Sequence, residues 1–176
     1  MKLNKKYPTT NYNGLISKYY FIKVAKEIIQ IGNLENINTI LDYGCGEKIF
    51  SQLMPNKKIY NYDIKPEYNE VDNVKKYYNS DIIIFNHVWM YIEKTEIESI
   101  LEDIKNLNVN TKIILSLGKQ NFISKIAMFL AGKPNAHNNT VSSYNSQIEI
   151  LKKYCTIKKI KKNIFFMTDI FFAEFK

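Results

Sequence analysis

Two glycines one residue apart, Gly44 and Gly46, follow an apolar run that ends in an acid, Asp42. A second acid, Asp63, stands nineteen residues after the first glycine. Glycine serves such a turn in two ways: it takes positive φ without steric cost, and without a Cβ it lets a ligand approach the main chain. A carboxylate at the tip of the following strand offers two acceptor oxygens, enough for the two donors of a ribose diol. Turn and acid together predict a nucleoside site. The neighbours narrow it. Ile49 stands where a dinucleotide turn G-x-G-x-x-G needs its third glycine, and the charge of Glu47 would repel a pyrophosphate.

Such residues meet only if strands and helices alternate. The stretch 39–50 (T-I-L-D-Y-G-C-G-E-K-I-F) reads as a strand, a tight turn and the start of a helix over 48–54. A second strand follows over 57–62, ending at Asp63. Upstream, Leu15, Tyr19, Ile22, Ala25, Ile28 and Ile29 form one apolar stripe of a helix closed by Gly32. Residues 65–79 leave room for one helical turn near 66–69 and a short strand around 70–74. The runs 81–85 (D-I-I-I-F) and 111–117 (T-K-I-I-L-S-L) are apolar enough for strands buried on both faces of a parallel sheet. Between them, Thr95 with Glu98 forms a capping-box pattern for a helix to Leu107, whose face carries Ile97, Ile100, Leu101, Ile104 and Leu107. Residues 121–131 predict a helix apolar nearly all round, hence buried or walling a greasy substrate. A loop over 132–139, a helix from Ser142 or Ser143 to Tyr154, and two strands around Lys162-Asn163 complete the chain. Lys158, Lys159, Lys161 and Lys162 mark the solvated edge of that last hairpin.

At 176 residues the chain is long enough for one core without disulfides. Cys45 and Cys155 are far apart in sequence and in no metal-ligand spacing, which suits a reducing compartment; Cys45 reads as a small packing residue in the turn. No leader pattern and no apolar run of membrane-spanning length is present, so the expected location is the cytoplasm. The formal charge of +8 invites nucleic acid, but all 25 basic residues are lysine. Arginine, which makes bidentate contacts to phosphate and guanine, is absent, so a solvated surface is the preferred reading and an RNA footprint the alternative.

The stretch L-D-Y-G-C-G-E-K resembles the first motif of class I S-adenosylmethionine-dependent methyltransferases, with Asp63 as their second-motif acid. The resemblance covers residues 37–118 and departs in one place: the third glycine of the family's G-x-G-x-G is Lys48. It implies an α/β three-layer sandwich with a mostly parallel, seven-stranded-type sheet, its third strand reduced, closed by a C-terminal antiparallel hairpin. One domain would span 1–176, with a leading helix or cap over 1–33, a cofactor-binding half over 34–118 and a substrate-side half over 119–176. The implied cofactor is S-adenosylmethionine, with S-adenosylhomocysteine as product. Its implied binding residues are Asp42, Tyr43, Gly44, Cys45, Gly46, Asp63, Ile64, Asp72, Asn86 and His87. The segment 86–92 (N-H-V-W-M-Y-I) lacks the Asn-Pro-Pro-Tyr of enzymes that methylate exocyclic amines, which leaves a small-molecule, lipid or sugar acceptor as the expectation. If the acceptor is a hydroxyl, a base helps; His87, His137 and, one helical turn on, Tyr91 are the candidates. A degenerate scaffold kept as a partner subunit is the non-enzymatic alternative.

Overall fold

The structure is a computed structural model that describes residues 15–130 and 140–176. Six strands form one sheet in the order β2-β1-β3-β4-β6-β5. They are β1 (Thr39–Tyr43), β2 (Lys58–Tyr62), β3 (Ile82–Asn86), β4 (Lys112–Gly118), β5 (Cys155–Ile164) and β6 (Thr168–Phe175). The first four run parallel, and β6 is antiparallel to both β4 and β5. Helices α1 (Leu15–Gly32) and α2 (Ile49–Leu53) cover one face, while α3 (Lys94–Leu107) and α5 (Tyr144–Tyr154) cover the other; α4 (Phe122–Leu130) follows β4. The result is the expected α/β three-layer sandwich.

The centre follows from composition. Ile82, Ile83, Ile84 and Phe85 of β3 are all fully buried, alternating between the two helical layers. Burial of each such side chain contributes roughly 1.5–3 kcal/mol. On one face Ile82 and Ile84 pack with Val24, Ala25 and Ile28 of α1; on the other Ile83 and Phe85 pack with Ile97, Leu101 and Ile104 of α3.

Several local expectations are corrected. No strand forms over 70–74: the segment docks on β2 through one backbone bond, Glu70 N to Asn61 O at 3.0 Å, and then enters a 3-10 turn, Val74–Tyr77. The Asn73 side chain caps that turn by accepting from Lys75 N at 3.1 Å, and such local side-chain bonding competes with a ladder. Helix α3 begins at Lys94 with Glu93 in the cap position, so Thr95 lies inside the helix, and Leu107 is exposed. Tyr19 is also exposed, and Val24 takes its place in the core stripe of α1. The closing hairpin turns at residues 165–167 rather than at Lys162-Asn163: Phe165 and Phe166 take φ of 49° and 58°. Sequence reading looks for polar residues in turns, and this turn has aromatic ones. The lysines of β5 do lie on the edge strand, where Lys158 pairs with Glu174 and Lys161 with Glu27. Ser143 caps α5 as expected, its hydroxyl accepting from Ser146 N at 3.2 Å. Among the described residues no helix is long and apolar enough to cross a membrane.

Candidate functional site

The chain leaves β1 toward β2 on one side and returns to β3 on the other, so the loops after β1 and β3 diverge. That divergence opens a crevice at the carboxyl ends of the strands, where open α/β sheets hold ligands. Gly44 and Gly46 lie in the left-handed region, with φ of 81° and 48°. Gly44 and Cys45 donate to Tyr62 O at 2.7 and 2.9 Å, which ties the turn to the end of β2. A Cβ on Gly44 would meet Val88 Cγ2 at 2.4 Å, whereas one on Gly46 would meet nothing within 4 Å. The first glycine is needed for packing and conformation; the second leaves open backbone.

Lys48, in the place of a third glycine, also sits in the left-handed region at φ 56°. Its ammonium reaches Glu70 Oε1 at 2.6 Å, and Glu70 Oε2 accepts from Asn61 Nδ2 at 2.5 Å. The turn thus keeps a glycine-like backbone with a side chain tied down across it.

Asp63 faces the same turn. Its Oδ2 accepts from Gly46 N and its Oδ1 from Lys65 N, both at 2.9 Å. Asp42, at the end of β1, is 1 % exposed, and neither of its carboxylate oxygens has a hydrogen-bond partner. Burial, and then the charge of Asp63, push its pKa up to about 8. A buried carboxylate without a partner is costly. The arrangement suits a cationic group brought by a ligand.

The other expected binding residues are spread. Tyr43 is buried on the α3 side, with its ring 4.7 Å from that of Tyr62. Cys45 is buried, its Sγ 3.5 Å from Tyr68 O; burial raises its thiol pKa, against a nucleophilic role. Ile64 is exposed beyond β2. Asp72 is exposed and bound to Lys76 at 2.7 Å. Asn86 ends β3, and its Oδ1 accepts from Ser116 Oγ at 2.6 Å.

His87 follows with φ 58°, uncommon for a non-glycine residue. Its amide donates to Ser116 O at 3.2 Å and to Ser116 Oγ at 3.1 Å, and its Nε2 lies 3.2 Å from Thr168 Oγ1. Thr168 Oγ1 in turn contacts the Tyr20 hydroxyl. The Phe21 ring stands edge-on to the imidazole at 5.8 Å, so α1, β3 and β6 together enclose His87. Burial raises the Tyr20 phenol to about 12 and keeps it neutral. Tyr91 lies in the 3-10 turn Trp89–Tyr91, its phenol pKa raised by burial. His137 lies outside the described residues.

Sequence reasoning missed the contribution of β6. Asp169, 2 % exposed, meets Lys119 Nζ at 2.8 Å and the Tyr144 hydroxyl at 2.5 Å. Burial and the Asp169 charge raise the Tyr144 pKa. The available signal was the polar pair Thr168-Asp169 opening an otherwise apolar strand.

No family model and no curated protein matches the sequence. Solved structures do match in shape. Magnesium protoporphyrin IX methyltransferase from Synechocystis PCC 6803, with bound S-adenosylhomocysteine, superposes with a TM-score of 0.64 at 14 % identity, over 93 % of this chain and 88 % of that one. The PH0226 protein from Pyrococcus horikoshii OT3 gives 0.66 at 14 %, over 96 % and 95 %. N-methyltransferase NodS from Bradyrhizobium japonicum WM9, in complex with S-adenosylhomocysteine, gives 0.62 at 10 %, over 98 % and 93 %. The chain therefore has the Rossmann-type fold of S-adenosylmethionine-dependent methyltransferases.

Proposed function

We propose that this protein binds S-adenosylmethionine in the crevice after β1 and β3 and transfers a methyl group to a small-molecule, lipid or sugar acceptor. The observation that carries this reading is the buried, unpartnered carboxylate of Asp42 beside an open glycine turn. An ammonium group is the partner that such a carboxylate lacks. Asp63 fits the ribose. A carboxylate has about four lone-pair sites, and the amides of Gly46 and Lys65 take two of them. Two sites remain for two hydroxyls. Gly44, Gly46 and Asn86 line the same crevice, while Tyr43, Cys45, Ile64 and Asp72 contribute through backbone or by shaping the flanking loops.

The cofactor supplies an activated methyl on sulfur with a neutral thioether as leaving group. The protein's own task is to hold the acceptor in line and to exclude water. Tyr20 and Phe21 of α1 close over His87, and the Thr168 hydroxyl fixes the imidazole ring. In this reading His87 Nε2 takes a proton from an acceptor hydroxyl once Thr168 yields the bond. His137 and Tyr91 are the further candidates for that role.

Calorimetric titration with S-adenosylhomocysteine tests the binding. We expect low-micromolar affinity for the native chain, weakened by about 1.5–3 kcal/mol in Asp63→Ala. No binding up to millimolar ligand would overturn the reading and leave a scaffold. The lysine-rich surface raises RNA as a second acceptor class, and steeply salt-dependent RNA binding would support it.

A further inference from the structure

Helix α4 faces the wrong way for a core helix. Ser124 is buried, while Phe122, Ile123, Ile126 and Phe129 are exposed. Phe122 and Phe129 are 76 % and 72 % exposed. At 100° per residue, positions 122, 126 and 129 share one stripe and 123 flanks it. Of the two expectations for this helix, burial or a greasy substrate wall, burial is thus corrected.

The apolar surface continues beyond the helix. Asn121 Nδ2 donates to Phe166 O at 2.7 Å, which joins the start of α4 to the hairpin turn. There Phe166 is 62 % exposed, and Phe165 stands 6.1 Å from the ring of the exposed Tyr19. Contiguous exposed side chains of this size mark an interaction surface.

Charge identifies the occupant. The described stretches that supply the surface are free of acids: residues 15–26 hold Lys18, Lys23 and Lys26, residues 119–130 hold Lys119 and Lys125, and residues 159–168 hold Lys159, Lys161 and Lys162. Lys18, Lys125 and Lys162 are exposed, and none has an ion pair among the described residues. The acids that directly border residues 15–26 and 159–168 are engaged, Glu27 with Lys23 and Lys161, and Asp169 with Lys119. A second copy would bring the same lysines face to face across a two-fold axis. Exposed isoleucines offer nothing to a nucleic-acid base, and arginine is absent. Aromatic and aliphatic side chains flanked by unpaired lysines match the surface of an anionic bilayer.

We propose that the face formed by α4, the hairpin turn at Phe165-Phe166 and Tyr19 docks on an anionic lipid surface. The proposal does not rest on methyl transfer. It places one face of the protein at the membrane, with Phe165 6.0 Å from Tyr20 and Tyr20 6.2 Å from His87, so the docking face adjoins the crevice.

Flotation of the full chain with vesicles tests it, using phosphatidylcholine alone and phosphatidylcholine with about a third phosphatidylglycerol. The expected result is partition onto the anionic vesicles only, reduced by added salt. Combined Phe122→Ser, Phe129→Ser and Phe166→Ser should reduce that partition at least about tenfold, with an unchanged melting temperature. Absence of partition onto anionic vesicles, or equal partition of the variant, overturns the proposal. So does a melting temperature several degrees lower in the variant, which would show the face covered by the chain's own flanking residues. A native dimer that the same substitutions dissociate overturns it in favour of a second copy.

Discussion

The Lys48 ammonium lies 2.6 Å from Glu70 Oε1 and ties the turn after β1 to the loop after β2. The same residue holds φ 56°, where a non-glycine residue costs roughly 1–2 kcal/mol. The ion pair is partly exposed and contributes about 0–1 kcal/mol, less than the strain. Lys48→Gly should therefore leave stability unchanged or slightly raised, and Lys48→Ala should be about 1 kcal/mol less stable than Lys48→Gly. Urea denaturation of the two variants measures the difference. Equal stabilities would show that the turn relaxes when the side chain is cut back.

Asp42 couples ligand binding to protons. Its folded pKa of about 8 lies above the ordinary carboxylate value, so between the two the folded protein holds a proton that the unfolded chain has lost. Through this group, stability falls as pH rises from about 4 to about 8 and is level above that. A cationic ligand group at Asp42 reverses the preference and expels the proton. Affinity for S-adenosylhomocysteine should accordingly rise between pH 6 and pH 8, by at most about tenfold per pH unit. Calorimetry in buffers of different ionisation enthalpy should detect up to one proton released at pH 6.5 and almost none in Asp42→Asn. A pH-independent affinity would remove the cation from this position.

The part of the fold that a local pattern encodes was legible. The buried runs of β3 and β4 read as strands because apolar residues face both helical layers, and the glycine turn with its acid read as a crevice. What failed depended on single contacts that leave no periodic trace. The missing third strand reflects the local bond of Lys75 N to Asn73, and the hairpin turn is tied by the long-range bond of Asn121 to Phe166 O. At the site, Asp42 and His87 were visible from their positions at strand ends. Thr168 and Asp169 were not, because they meet His87 and Lys119 only through the antiparallel pairing of β6 with β4.

Thr168 carries two contacts, to His87 Nε2 and to the Tyr20 hydroxyl. Thr168→Val removes both at nearly constant volume and takes the partner from a half-buried phenol, which should cost roughly 1–2 kcal/mol. Tyr20→Phe should cost less, and the double variant should lose less than the two single changes together. Chemical denaturation of the four proteins closes the cycle. Strict additivity would show that the Tyr20–Thr168 contact contributes nothing.

The buried charge of Asp169 depends on Lys119. With the carboxylate 3 % exposed and the Lys119 side chain 24 % exposed, the pair lies toward the buried limit, where losing one partner leaves an uncompensated charge. Lys119→Met should therefore destabilise the fold by roughly 2–4 kcal/mol, with the partial exposure of the lysine holding the effect below that of a fully enclosed pair. Asp169→Asn keeps the contact with Tyr144 and removes the charge, so it should be the milder change. Combined with Lys119→Met it should recover much of the loss, because no carboxylate is then left unpaired. Thermal and urea denaturation of the single and double variants reads this directly. A double variant as unstable as the sum of its parts would mean that Lys119 acts through its aliphatic stem rather than through its charge.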